Sequence, residues 1–342
     1  MGRSLNSCSI SGFGGHNLVE STDQLGVDRA VSVIIVNWNV KRLIVECLRS
    51  LFSHHADLSI EVTVVDNAST DGSVERLRRE FPYVRLIENP ENVGFARANN
   101  QGIREATGRY VLLLNPDTVW IDDSLQRMVR FMDAHDGIGV LGPKLLNTDG
   151  KSIQFWGARR LPLPLDTFFE FTKLSALFPR NRLLGRQLLG YWGHADSRDV
   201  ECVSGSCLLI RRKTIEDVGL LDEGYPLYFE DTDWCHRVKI ARWGCYYLAE
   251  AQLIHIGQQS SLQNRGPSTI KAVRGVYRYY RKFYGRTTVL WIWLLLSSAS
   301  LAKVLAWSVR YWLQPKQARH GAAEQIRAYW TVCRLLPTRS AS

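Results

Sequence analysis

The sequence predicts an α/β fold: a mostly parallel central sheet with helices on both faces, followed by a C-terminal hydrophobic helical segment. Two observations carry this. Short continuous apolar runs, suited to strands buried on both faces, alternate with stretches whose apolar residues recur at helical spacing. The corners joining them are short and polar, as strand–helix–strand units require. With 342 residues, 45% hydrophobic and 11% aromatic, the chain can bury a substantial core, which excludes a disordered or fibrous protein.

Residues 1–29 are polar and rich in Gly and Ser, have no apolar core of the signal-peptide kind, and read as a flexible tail. "VSVIIV" from Val31 is the first strand, and Ile44, Cys47, Leu48 and Leu51 then share a helix face. The alternation repeats with "EVTVV" before Val74, Leu77 and Phe81, and with "VRLI" before Phe95, Ala98, Gly102, Ile103 and Ala106. It repeats again with "YVLLL" before Leu125, Val129 and Met132. From about Asn147 to Val200 regularity fades into a stretch rich in Arg, Pro and aromatics, read as a mobile insertion. "GSCLLIRR" (Gly205 to Arg212) restores strand character. A helix with Trp234, Val238 and Ala241 on one face follows, and "CYYLAEAQLIHIG" is a strand ending at His255. No internal repeat is visible.

Open sheets of this kind bind ligands beyond the carboxyl ends of their strands. Those corners read "NWN" (Asn37 to Asn39), "DNASTDGS" (Asp66 to Ser73), "ENPENVGF" (Glu88 to Phe95) and "NPDT" (Asn115 to Thr118). No GxGxxG follows the first strand and no GxxxxGK[ST] occurs, so dinucleotide-binding and ordinary NTPase readings lose their support. The net charge of +10 suggests an anionic partner. Its basic residues are spread over the insertion and the C-terminal third without a nucleic-acid-binding motif, so no nucleic acid is expected. Seven cysteines form no CxxC pair, and their odd number speaks against a disulfide framework and for a reducing, cytosol-facing compartment.

The ordered series "VIIVNWN", "VVDNASTDGS", "NVGFARANNQGI", "GRYVLLLNPDT", "GSCLLIRR" and "YFEDTDWCHRV…GCYYLAEAQLIHIGQQSS" resembles inverting family-2 glycosyltransferases of the GT-A fold, in particular the bacterial rhamnosyltransferase-like branch. The resemblance covers roughly residues 31–262. It implies a domain at 30–262, with a nucleotide-sugar-binding half at 30–146 and an acceptor-side half at 147–262, and leaves 263–342 as a basic, hydrophobic, membrane-associating region.

The resemblance implies roles residue by residue. Asn115-Pro116-Asp117 stands where the family has an Asp-x-Asp-type motif, with Asn in the first acidic position, and leaves Asp117 as a ligand of a divalent cation, Mg²⁺ or Mn²⁺. His255 is implied as the second protein ligand; without the motif it reads as a core histidine at a strand end. Asp66 matches the position that recognises a pyrimidine base, since a carboxylate accepts from the N3–H of uracil or thymine. Asn37, Asn67 and Asn115 join it on the donor side, and Arg97 either neutralises diphosphate or is solvated. Asp71 reads as a turn or N-cap residue. Asp231 is the implied general base, Glu230 and Trp234 lie on the acceptor side, and Asp233 is a first-turn helix charge.

The implied partners are a dTDP- or UDP-linked sugar donor, dTDP-L-rhamnose first, and a lipid-linked or polysaccharide glycan acceptor of the bacterial cell envelope. A catalytically inactive, membrane-anchored scaffold is the rival reading. "TTVLWIWLLLSSASLAKVLAW" (Thr287 to Trp307) is interrupted only by Lys303, and its tryptophans and flanking basic residues suit a helix at the cytoplasmic face of a membrane. Extended through Trp307 it could also just cross the membrane as a single-helix anchor, and the remaining alternative is a buried core helix.

Overall fold

In a computed structural model of the chain, residues 30–257, 265–315 and 319–336 are described; the tail at 1–29 and the end of the family resemblance at 258–262 lie outside them. The chain order is β1 (Val31–Asn37), α1 (Lys41–His54), β2 (Ile60–Asp66), α2 (Ser73–Glu80), β3 (Arg85–Glu88), α3 (Phe95–Glu105), β4 (Tyr110–Leu114), β5 (Thr118–Trp120), α4 (Ser124–Ala134) and β6 (Ile138–Leu146). Next come β7 (Ala158–Arg159), α5 (Pro164–Thr172), α6 (Leu174–Leu177), β8 (Arg198–Asp199), β9 (Cys202–Val203), β10 (Cys207–Arg211), α7 (Arg212–Val218), α8 (Glu230–Ile240) and β11 (Gly244–His255). Three helices close it: α9 (Arg265–Tyr284), α10 (Arg286–Leu313) and α11 (Arg319–Arg334).

The main sheet runs β3-β2-β1-β4-β10-β6-β11-β5, with β8 on β11. It is parallel from β3 through β4, and β6 and β11 are parallel to each other. Antiparallel β10 joins the two parts, and β5 and β8 add antiparallel edges, so the sheet is mixed beyond its first four strands. Side chains alternate between two cores as strand geometry demands. Val33, Ile35, Leu112, Leu114 and Leu209 face α1 and α4, whereas Ile34, Val111, Leu113, Leu208 and Ile210 face α3 and α8. Burial on both faces is why these strands are uninterruptedly apolar in sequence.

Two expectations change. Ala241 is the exposed C-cap of α8, so only Trp234 and Val238 of the proposed face are core. The stretch after Asn147 carries its own helices, α5 and α6, with the Asp166 carboxylate capping Leu163 N–H and paired with Arg186. Asp233 is, as expected, a first-turn charge of α8, and it is also fully buried: it takes Arg237 at 2.8 Å, Lys282 at 2.6 Å and the Tyr225 hydroxyl at 3.0 Å. Lys282 also reaches Asp222 at 2.9 Å, which Arg278 meets at 2.7 Å, so α9 is fastened to α8 by ions as well as by its tyrosines.

Helix α10 has two unlike faces. Val289, Ile292, Leu296, Ala299 and Ser300 are buried against neighbouring elements. Leu290, Trp291, Leu294, Leu301, Leu305 and Val309 are exposed. Lys303, the charge that interrupts the apolar sequence, turns inward, with its Nζ 4.1 Å from the Phe171 ring centre and 4.7 Å from that of Tyr329. Among the described residues α10 is the one helix long and apolar enough to cross a membrane by length and composition.

Gly102 sets how closely α3 lies on the sheet: a Cβ there would stand 2.5 Å from Ile34 Cγ2. The strain of an overpacked core, about 1–3 kcal/mol, sits at its upper end against a rigid β-branched neighbour and outweighs the gain of about 1 kcal/mol in helix propensity. Gly102→Ala should therefore lower the melting temperature by a few degrees in thermal unfolding; an unchanged or raised value would mean that α3 slides without cost.

Candidate active site

The sheet's parallel strands deliver Asn37, Asp66 and the residues after Leu114 to one edge, because β1 and β2 pair in register from Val31↔Ile60 to Asn37↔Asp66. Asn37 is fully buried, and its Nδ2 donates to Asp66 Oδ1 at 2.7 Å and Ser73 Oγ at 2.9 Å. Asp66 Oδ2 accepts from the Ser69 N–H at 2.8 Å. Asn67 accepts from Asn89 Nδ2 at 2.9 Å. These three residues thus first build the corner itself. The Asn37 Oδ1 atom is buried without a partner among the described residues. Asp71 is a turn residue: its carboxylate takes the backbone N–H of Lys41 at 2.7 Å and of Ser73 at 3.1 Å. Arg97 is exposed at the start of α3, 3.8 Å from Glu223.

The break in "LLLNPDT" now has a physical cause. The Asn115 N–H still bonds Ser206 O at 2.9 Å, one step past the Leu114↔Cys207 pair, but Pro116 has no N–H and cannot extend the ladder. The chain turns, Thr118 resumes pairing opposite His255, and Asp117 is left at the corner. Its Oδ1 lies 3.4 Å from His255 Nε2, and its Oδ2 accepts from the Gly257 N–H at 3.1 Å. Asn115 Nδ2 is 3.5 Å from the same His255 nitrogen. Gln154 holds the other end of the ring, with Oε1 2.9 Å from Nδ1 and Nε2 donating to the His255 carbonyl at 2.6 Å. A part-buried carboxylate and an imidazole nitrogen converge here, a donor set that fits a divalent cation such as Mn²⁺ or Mg²⁺. No group of three or more His, Cys, Asp or Glu converges among the described residues, so other coordination positions would fall to substrate and water.

The second acidic feature opens α8 after Tyr228 and Phe229, both in the left-handed region at φ 61° and 70°, a strained approach for residues other than glycine. Four donors meet the Asp231 carboxylate. Arg159 Nη2 at 2.7 Å and the Gly205 N–H at 3.1 Å reach Oδ2, and the Thr232 N–H at 2.6 Å and hydroxyl at 3.1 Å reach Oδ1. Trp234, expected on the acceptor side, is in the core, its indole N–H on Gly219 O at 2.8 Å. Gln154, Arg159 and the Gly205–Ser206 corner escaped sequence reading: Arg159 is one of many arginines in an irregular stretch, and nothing in its spacing marks it.

With the geometry in place, the comparisons define the class. The chain has the GT-A fold. It aligns over 89% of its length with 86% of a mannosyltransferase from Pyrobaculum calidifontis solved in complex with GDP-Man and Mn²⁺ (TM-score 0.50, 17% identity). It aligns over 76% with 50% of GalNAc-T7 solved with UDP, GalNAc and Mn²⁺ (TM-score 0.53, 15% identity). Residues 32–193 match the Glycosyl transferase family 2 profile, and this match, the rhamnosyltransferase relatives and the fold neighbours together support a family-2 glycosyltransferase of the rhamnosyltransferase-like branch. It is 28% identical over 215 residues to the N-acetylglucosaminyl-diphospho-decaprenol L-rhamnosyltransferase of Mycobacterium tuberculosis, covering 57% of this chain and 66% of that protein. It is 26% identical over 215 residues to the low-salt glycan biosynthesis hexosyltransferase Agl10 of Haloferax volcanii, with 61% of each chain covered. The match thus spans less than two-thirds of the length of these relatives.

Glu230 is 8% exposed, and burial, then the charge of Asp231, push its carboxyl up to about 8. A carboxyl raised in the folded state stabilises the fold fully below its unfolded value of 4.5 and loses that contribution as pH rises through about 8. Glu230→Gln should therefore flatten the fall in melting temperature between these values; a slope equal to that of the wild type would show that Glu230 is ionised throughout.

Proposed function

We propose that the chain is an inverting glycosyltransferase that moves a sugar, L-rhamnose from dTDP-L-rhamnose first and a UDP-sugar second, onto a lipid-linked or polysaccharide acceptor of the cell envelope. The observation that carries this reading is the approach of Asp117 to His255 within 3.4 Å, at the sheet edge where Asp66 also ends its strand. The Mycobacterium relative, named for an L-rhamnosyl transfer to a decaprenol-linked acceptor, supports the choice of sugar and of lipid-linked acceptor. The Mn²⁺ in both fold neighbours supports a divalent cation.

Asp117 and His255 would hold that cation, which when bound offsets the negative charge developing on the nucleoside diphosphate as it leaves. Asp66 keeps a lone pair on each oxygen beyond its internal hydrogen bonds, and accepts from the base N3–H. Arg97, exposed at the start of α3, neutralises diphosphate. Asp231 takes the proton of the acceptor hydroxyl while that oxygen attacks the anomeric carbon and the bond to diphosphate breaks; one displacement inverts the centre and needs no covalent nucleophile. Arg159 and Gly205 keep the carboxylate oriented through its Oδ2.

The protein also works at the cytoplasmic face of a membrane, with α10 lying along the surface. Its exposed apolar face from Leu290 to Val309 is free of charge because Lys303 points inward. Spanning is disfavoured by α11, packed alongside with Glu324, Arg327 and Arg334 exposed. Burying such charges in hydrocarbon costs about 2.5–3.5 kcal/mol each, whereas an in-plane helix leaves them wet.

Three outcomes follow. Mn²⁺ with dTDP-L-rhamnose should raise the melting temperature, Asp117→Ala should abolish the Mn²⁺-dependent part and the activity, and tighter binding of GDP- or ADP-sugars than of pyrimidine donors would refute the base assignment. Asp231→Asn should retain donor binding and lose about a hundredfold or more in transfer, the scale of an absent general base; a normal rate with weakened donor affinity would make it a binding residue. In flotation with phosphatidylglycerol vesicles the full chain should rise with the lipid, and a Trp291→Gln/Leu294→Gln/Leu301→Gln/Leu305→Gln variant should stay behind. Equal flotation of both would place the membrane contact elsewhere.

A further inference from the structure

Trp156 has no part in that function, yet along the chain it lies between the residue that holds His255 and the residue that holds Asp231. It lies in a single 3₁₀ turn, Phe155–Gly157, and is 45% exposed. Two residues before it, Gln154 grips both the carbonyl and Nδ1 of His255, at 2.6 and 2.9 Å. Three residues after it, Arg159 donates to Asp231 at 2.7 Å while its guanidinium carbon lies 5.4 Å from the centre of the Trp156 ring. Arg159 is itself buried, held by the β7–β9 pairing of Arg159 with Cys202, and its Nε has no acceptor among the described residues. A large indole is thus fixed at the surface by a turn anchored at one end to the proposed metal ligand and at the other to the proposed base.

We propose that Trp156 is the platform on which the acceptor sugar stacks, a pyranose lying with its apolar C–H face on the indole so that a ring hydroxyl comes within reach of Asp231. This rests on the glycosyltransferase reading and adds the acceptor subsite to it. The chemistry suits the residue: a flat aromatic face meets an apolar ring face without demanding hydrogen bonds, and leaves the hydroxyls at the sugar's rim for polar partners. A ring already held in place loses little freedom on binding, so more of the contact appears as affinity.

The test measures transfer from dTDP-L-rhamnose to a synthetic N-acetylglucosaminyl-diphospho-lipid by the full chain. Trp156→Ala should raise the acceptor KM about tenfold, the scale of stacking on one aromatic side chain, with donor KM and melting temperature unchanged. Trp156→Phe, which keeps a flat face, should stay within about threefold of wild type. An acceptor KM unmoved by Trp156→Ala, a Phe variant as impaired as the Ala variant, or a parallel rise in donor KM would overturn the platform while leaving the functional reading intact. A wild-type protein that transfers from no donor overturns the functional reading, and the platform with it.

Discussion

Parallel, in-register pairing of β1 with β2 and β4 is the constraint on which the rest depends. Because Asn37 lies opposite Asp66, and Ile35 opposite Leu114, three strand ends arrive side by side and their polar corners form one surface. The apolar runs enforce this register. Each strand buries both faces, so a slip by one residue would exchange the side chains of two cores at once, opening cavities at some positions and overpacking others. Function at that edge is built on a framework unable to shift.

Onto this framework the second half of the chain adds residues by long-range contacts. Antiparallel β10 takes the place beside β4 that a further parallel strand would occupy, and its preceding corner, Gly205–Ser206, meets both Asp231 and Asn115. β11 then returns His255 to Asp117, and β7 brings Arg159 to Asp231. The Arg159–Asp231 pair is mostly buried, where losing one partner strands the other's charge. Removing Arg159 should thus disturb Asp231 more than an exposed ion pair of the same length would.

Helix α8 faces two ways through acids two residues apart. Asp231 faces the site, while Asp233, two residues on and fully buried, gathers Arg237, Lys282 and Tyr225 and so ties α9 to the sheet domain. Asp222 shares Lys282 with Asp233: burial alone would raise its carboxyl, but Arg278 and Lys282 hold it down at about 2. The C-terminal helices that carry the exposed apolar face are therefore docked through the very helix that opens with the proposed base, which fixes the distance between that face and the candidate site.

The sequence by itself determined the fold class, the first four strand–helix units and their buried faces, and the corners at which side chains such as Asp66, Asp117, Asp231 and His255 stand. These follow from local periodicity and turn chemistry, which each short segment expresses alone. Only the tertiary structure decided which of those side chains meet. It put Trp234 in the core, made Asp233 a buried hub and turned Lys303 inward from an otherwise apolar helix. It also recruited Gln154, Trp156 and Arg159 from a stretch without pattern. Each of these outcomes depends on a neighbour from a distant segment, on burial and on ion pairing, and no spacing within one segment encodes a partner a hundred residues away.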